Sequence, residues 1–142
     1  MNRLEKSLAV IAAVLAILLG VLWLKPGLLS GELHTGTFAD TDKLAQSPWA
    51  KSDLIPAWLP AAATDLRIAQ NTRSGAGYLA FRFPAADLAE LREACPRILK
   101  PLPELPQAVA ADLRPANPDA FHLCPQGVLA IDGAQGRALL WR

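Results

Sequence analysis

The sequence predicts an α+β protein: an N-terminal transmembrane helix, then a small antiparallel sheet of about five strands with one helix packed on a face. Three observations lead to this fold class. Residues 7–24, SLAVIAAVLAILLGVLWL, carry no charge. Five later segments show the period-two pattern of strands with one buried face. A segment of helical period lies between the second and third of them.

The apolar run of residues 7–24 predicts a membrane anchor. Its eighteen residues, rising 1.5 Å each, cover roughly 27 Å, about the hydrocarbon thickness of a bilayer. A cleaved signal peptide is the alternative, but it has a shorter apolar core, and no convincing cleavage site follows here. The basic side chains in residues 1–6 favour a cytoplasmic N-terminus. We therefore expect a single-pass protein of the bacterial inner membrane, in contact with the lipid bilayer through residues 7–24.

Residues 25–53 predict a tether, and residues 54–142 a periplasmic α+β domain. The tether mixes small, polar and turn-forming residues without a sustained period, apart from a short helical piece near residues 42–46. The domain opens with LIPAWLP, in which each proline disfavours helix at the residue before it. Trp58 lies between the prolines, and a plug at one end of the core is favoured over an exposed binding aromatic.

The first strands are expected in DLRIAQ (residues 65–70) and GYLAFRF (residues 77–83). Apolar side chains occupy every second position of both segments. The intervening NTRSGAG has the asparagine and glycines of a turn. An antiparallel hairpin with one apolar face is therefore predicted, and the polar face is expected to contact solvent.

A helix is expected in residues 85–99, AADLAELREACPRIL, with its leucines against the apolar face of the hairpin. The six prolines of residues 96–118 then predict a semi-rigid surface connector, which is favoured over a ligand for a proline-recognition module. Three further strands are predicted at residues 120–124, 127–132 and 137–142, the last two joined by the turn DGAQG.

The two cysteines, Cys95 and Cys124, are predicted to form a disulfide. Disulfides persist in the oxidising compartment that the anchor implies. A redox-active pair would need a Cys-x-x-Cys arrangement, which is absent. The two histidines, His34 and His122, are separated from the cysteines and from each other, so no zinc spacing is present. We expect no metal site.

Composition and motifs argue against catalysis and against nucleic-acid binding. Residues 26–142 contain eleven Lys and Arg and twelve Asp and Glu, so a basic nucleic-acid-binding stripe is missing. No glycine-rich phosphate loop implies a cofactor. His122 has no recognisable nucleophile, and Glu90 and Glu93 lie on the expected helix as solvated charges. We expect a protein that is not an enzyme and needs no cofactor.

The best candidate binding surface is the polar face of the first hairpin. Arg67, Tyr78 and Arg82 project from it, and Arg73 lies in the adjoining turn. Tyrosine and arginine are enriched at the hot spots of protein interfaces. An ordinary solvated sheet face is the alternative.

The run IPAWLPAAATDLRIAQNTRSGAGYLAFRFP resembles small, poorly characterised bacterial membrane-tethered envelope proteins. The shared pattern is Pro-x-Leu-Pro, a small-residue step, an extended strand, an Asn/Asp-Thr turn and an aromatic strand. The residues that match it are Pro56, Leu59, Pro60, Ala63, Asp65, Leu66, Asn71, Thr72, Phe81 and Phe83. The resemblance implies an exported or tethered α+β domain without a known catalytic set.

These observations together predict a membrane-anchored periplasmic protein-binding domain. Its partner would be another envelope or secreted protein, and an inhibitor or immunity protein against a secreted toxin or hydrolase fits this description. The alternative is a structural accessory subunit of a cell-envelope assembly. A small, stapled domain without catalytic residues is compatible with both.

Overall fold

The computed structural model describes residues 3–24, 33–100, 104–106 and 109–142. The chain divides into two compact units, Met1–Glu32 and Leu33–Arg142. In the first unit, helix α1 spans Arg3–Leu24. The second unit contains the sheet.

The predicted membrane anchor is corrected by the structure. Among the described residues, no helix is both long enough and apolar enough to cross a membrane. Three of the first four residues of α1 are charged, Arg3, Glu5 and Lys6. Its apolar part is thus shorter than the helix and falls below the about 20 consecutive apolar residues that a span requires. The inference of a single-pass inner-membrane protein with its domain in the periplasm loses its basis.

The second unit is a single antiparallel sheet of seven strands, not about five, and this also corrects the predicted fold class. Short helices connect the strands. The order across the sheet is β1-β2-β3-β7-β6-β5-β4. The strands are β1 (Leu33–Asp40), β2 (Thr64–Asn71), β3 (Gly77–Arg82), β4 (Arg97–Ile98), β5 (Ala120–Cys124), β6 (Gly127–Asp132) and β7 (Arg137–Trp141).

The two strands that the sequence did not predict are the two edges of the sheet. β1 lies within the expected tether, and only Gly36, Phe38 and Asp40 of its residues are partly buried. β4 has two exposed residues at the start of the expected connector. An edge strand buries few side chains, so its sequence does not need the regular alternation that predicts an inner strand. Residues 25–32 of the expected tether lie outside the described residues.

The short helices begin where side chains cap them. Asp40 caps α2 (Thr41–Ala45) by accepting a hydrogen bond from the backbone N–H of Lys43 at 2.9 Å. Ser47 caps the 3-10 helix Pro48–Lys51 in the same way. After a 3-10 turn at Ala85–Asp87, α3 spans Leu88–Ala94. It ends earlier than predicted, because Pro96 disfavours helical geometry at the preceding residue.

Apolar side chains cover the sheet on both faces. The larger core, on the face that we call the inner face, includes the buried Leu79 and Leu140 and is closed by α3 through Leu91. Trp58 packs half-buried against this core, as the plug interpretation expected. The other face, called the outer face, holds a smaller core of Ala80, Leu139 and Val109. Its partly buried neighbours are Tyr78, Leu105, Leu113 and Trp141.

The outer core corrects the expectation that residues 96–118 run only over the surface. Val109 is buried in it, and Leu105 and Leu113 pack beside it. Prolines prevent this segment from joining a strand ladder, yet they do not prevent its apolar side chains from covering a sheet. The polar face that was expected to contact solvent is therefore covered in part.

The predicted disulfide between Cys95 and Cys124 is confirmed. It joins the residue after α3 to the end of β5, with the two Cα atoms 5.2 Å apart. A second tie lies beside it, since His122 Nδ1 and the carbonyl oxygen of Cys95 are 2.6 Å apart. A carbonyl only accepts, so Nδ1 carries the proton. Both contacts hold the end of α3 against the sheet.

Arg142 ties the end of β7 to the segment before β2. Its guanidinium donates to both carboxylate oxygens of Asp53, at 2.7 and 3.0 Å, and to the carbonyl of Gly75 at 3.0 Å. The Arg142 hydrogen bond lowers the pKa of the Asp53 carboxyl below its ordinary value. Asp53 itself is exposed, so this pair contributes little to stability.

Candidate functional site

A backbone irregularity marks one end of the outer face. Between Thr64 and Arg67 the register of β2 against β3 shifts, as it does at a β-bulge. Within the shift, Asp65 has a φ of +49°, and it is the one described residue other than glycine with a positive φ. Aspartate tolerates this left-handed conformation better than most residues but still adopts it at a cost. The bulge directs the Asp65 side chain towards two arginines.

Three arginines, Arg67, Arg82 and Arg137, form what we call the arginine cluster. The Asp65 carboxylate lies 3.6 Å from the Nε atom of Arg67 and 3.6 Å from that of Arg82. Arg82 and Arg137 are direct cross-strand neighbours in β3 and β7. Arg137 Nη1 in turn donates to the backbone carbonyl of Asp112 at 2.7 Å.

The energetics of the arginine cluster do not favour a role in stability. The side chains of Asp65, Arg67 and Arg82 are 41–51% exposed, and ion pairs at such exposure contribute about 0–1 kcal/mol. Like charges directly opposite each other on neighbouring strands are destabilising. The left-handed Asp65 adds backbone strain, on the order of 1 kcal/mol. Strain and like charge at one place are typical of sites kept for function.

The four residues predicted for partner binding do not form one site. Arg67 and Arg82 lie together at the bulge end of the hairpin. Arg73 lies in the turn at the opposite end, where its backbone N–H donates to Asn71 Oδ1. Tyr78 lies between the two ends and packs half-buried against the outer core. Only Arg67 and Arg82 therefore share a charged surface.

Arg137 belongs to the arginine cluster but was not among the predicted residues. It lies 55 positions after Arg82 in the sequence, and the two become neighbours only through the pairing of β3 with β7. No local pattern signals that pairing. The alternation of the last strand could have placed Arg137 on a face, but not opposite a particular arginine.

The space at the arginine cluster suits a surface contact more than an enclosed ligand. The depression lined by Arg82, Arg137, Asp65 and Asp112 holds about 20 Å³, room for about one water molecule. A larger groove of about 460 Å³ lies by the β1 edge, lined by His34, Thr35, Pro48, Trp49, Lys51, Ser52, Gln70 and Thr72. It is open to solvent and has no charged group aimed into an enclosed space.

His122, the histidine considered for catalysis, is buried at 4% exposure. Its Nδ1 is engaged with Cys95, and its Nε2 has no hydrogen-bond partner among the described residues. The ring is thus walled into the inner core and holds α3 on β5. In the part of the chain that the structure describes, no group of three His, Cys, Asp or Glu side chains is arranged to hold a metal ion.

Comparison with known proteins identifies no relative. The chain matches no protein-family model, no curated protein and no solved structure at a significant level. The resemblance of residues 55–84 to small envelope proteins accordingly stays a prediction. Functional inference for this chain rests on its own geometry.

Proposed function

We propose that this chain is a protein-binding domain that recognises an acidic surface of another protein through the arginine cluster. The observation that carries the proposal is the left-handed Asp65, whose carboxylate lies between two guanidinium groups on an otherwise regular sheet. Arginine is the side chain best suited to bind carboxylates in a planar, two-bond geometry. The seven-stranded sheet supplies a rigid frame for it.

The contacts of Asp65 leave part of each arginine for a partner. Asp65 approaches Arg67 and Arg82 through their Nε atoms, at 3.6 Å. That distance is longer than a hydrogen bond. Among the described residues, no hydrogen bond engages the terminal nitrogens of these two arginines. Asp65 orients the guanidinium groups, and a partner's carboxylates would complete their hydrogen bonding.

An inhibitor or immunity protein against a toxin or hydrolase is the form of protein binding that we propose. Such proteins present a preformed charged surface to their target, and complementary charge accelerates association. A disulfide-stapled sheet keeps the surface preformed. An accessory subunit of an assembly remains the second candidate, and the open edge of β1 favours it.

Affinity capture tests the proposal directly. The tagged intact chain is incubated with an extract of its source organism, beside a double variant, Arg67→Ala with Arg82→Ala, and a control variant, Arg97→Ala. Arg97 is an exposed arginine on β4, at the other edge of the sheet. We expect a stoichiometric partner that the control retains and that the double variant binds about 30-fold or more weakly. Equal retention by both variants would contradict a role for the arginine cluster.

Salt supplies a second readout in the same experiment. Contacts between exposed charges are screened at high ionic strength, with a Debye length of about 3 Å at 1 M salt. Elution of the captured partner by salt, in the absence of denaturant, would agree with recognition of an acidic surface. A partner that resists salt would bind elsewhere.

A further inference from the structure

The outer edge of β1 is available for pairing. β1 is the first strand in the order of the sheet and pairs on one side only, with β2. No described residue pairs with its other side. Lysine and proline, two residues that protect natural edge strands, are absent from its sequence LHTGTFAD, and no register shift interrupts its pairing. Such an edge can accept another strand.

The hydrogen-bond pattern of the sheet identifies the backbone groups that face outward. Gly77 and Arg142 exchange hydrogen bonds of 3.2 and 3.1 Å, so alternate residues of β3, starting at Gly77, bond to β7. The residues between them bond to β2 instead. Tyr78 is one of these, and its partner in β2 is Ala69.

The same alternation continues from β2 into β1. Because Ala69 bonds to β3, its neighbour Ile68 bonds to β1, where its partner is Gly36. The N–H and C=O groups of Thr35, Thr37 and Ala39 therefore point away from the sheet. They form the regular row of donors and acceptors that an antiparallel strand needs.

We propose that two copies of this chain pair through β1, antiparallel about a two-fold axis at Thr37, so that their sheets join. In this register, Thr37 of one copy faces Thr37 of the other, and Thr35 faces Ala39. Cross-strand threonine pairs are favourable, and alanine is small enough to fit without a clash. The interface is isologous, which is the commonest form of a closed dimer.

The even-numbered residues of β1 also match in this register. Gly36 faces Phe38 of the second copy, an aromatic–glycine pair that is used to stabilise edge glycines. His34 faces Asp40, whose Oδ1 caps α2, while Oδ2 remains to accept a hydrogen bond from the imidazole. No like charges oppose each other.

Neighbouring registers lose these pairs. An axis at Phe38 puts Gly36 opposite Asp40 and removes the contact of Asp40 with His34. An axis at Gly36 puts His34 opposite Phe38 and gives Asp40 no residue of the strand to face. The complementarity of charge and size therefore selects the axis at Thr37.

Sedimentation equilibrium of the intact chain tests this proposal. Thr37 is exposed, and at the axis any charge placed there faces itself in the second copy. We expect a monomer–dimer equilibrium for the wild type and about fivefold weaker self-association for Thr37→Lys and for Thr37→Glu. A mixture of the two variants should form a mixed dimer about tenfold tighter than either variant alone.

The controls are Ala134→Lys and Ala134→Glu, in the exposed turn between β6 and β7, and these should leave self-association unchanged. A wild type that stays monomeric would overturn the proposal. So would a dimer that both Thr37 variants preserve, as contact through α1 would give, or a mixture that fails to restore pairing. The oligomeric state is read without the proposed partner, so this test and affinity capture fail separately.

Discussion

Replacing both cysteines by alanine, Cys95→Ala with Cys124→Ala, should lower the free energy of unfolding by about 3–4 kcal/mol. The bond closes a loop across a sequence separation of 29 residues, and opening it returns conformational entropy to the unfolded chain. A domain of this size has a total stability of about 5–15 kcal/mol. The variant should unfold at markedly lower urea concentration, measured by far-ultraviolet circular dichroism.

Reduction of the wild type provides the matched control. The reduced chain and the double variant should show similar losses, because both remove the same crosslink while the hydrogen bond between His122 and the Cys95 carbonyl can persist. A loss below about 1 kcal/mol in both would mean that the inner core alone holds α3 on the sheet. The account of the disulfide as a main support would then be wrong.

Leu139→Ala should lower the free energy of unfolding by about 2–5 kcal/mol. Leu139 is fully buried in the outer core, beneath Val109. The substitution removes buried apolar surface and leaves a cavity that the neighbouring strands can fill only in part. Chemical denaturation, analysed with a common slope, gives the value.

Leu123→Ala is the control for this prediction. Leu123 lies on the same face of the sheet, but 37% of it is exposed, so its truncation should cost less than about 1 kcal/mol. A similarly small effect at Leu139 would show that the segment around Val109 does not cover the outer face. That result would restore the sequence-based expectation of a solvated face.

The inner strands could be predicted from the sequence because each has a regular buried face. Leu79 and Phe81 lie in the inner core, while Tyr78 and Ala80 lie with the outer core, as their alternation predicted. β1 has no such pattern, since an edge strand with one paired side buries little. Its pairing with β2, which places Phe38 opposite Leu66, is decided by tertiary contact.

The covered outer face and the full arginine cluster could not be predicted for a related reason. Val109 lies among prolines, whose density indicated a surface connector, and nothing local shows that it returns to the sheet. Arg82 and Arg137 are brought together by strand pairing across 55 positions. The candidate site was found in half, through Arg67 and Arg82, because only their own hairpin was visible in the sequence.

The free energy of unfolding of Arg82→Ala tests most directly whether the arginine cluster serves recognition and not stability. The substitution removes one exposed ion pair with Asp65 and relieves the opposition of Arg82 to Arg137. We therefore predict a change within about 0.5 kcal/mol of the wild type, together with the weakened partner binding described above. A loss of about 2 kcal/mol or more would show that Arg82 supports the fold and would contradict the account.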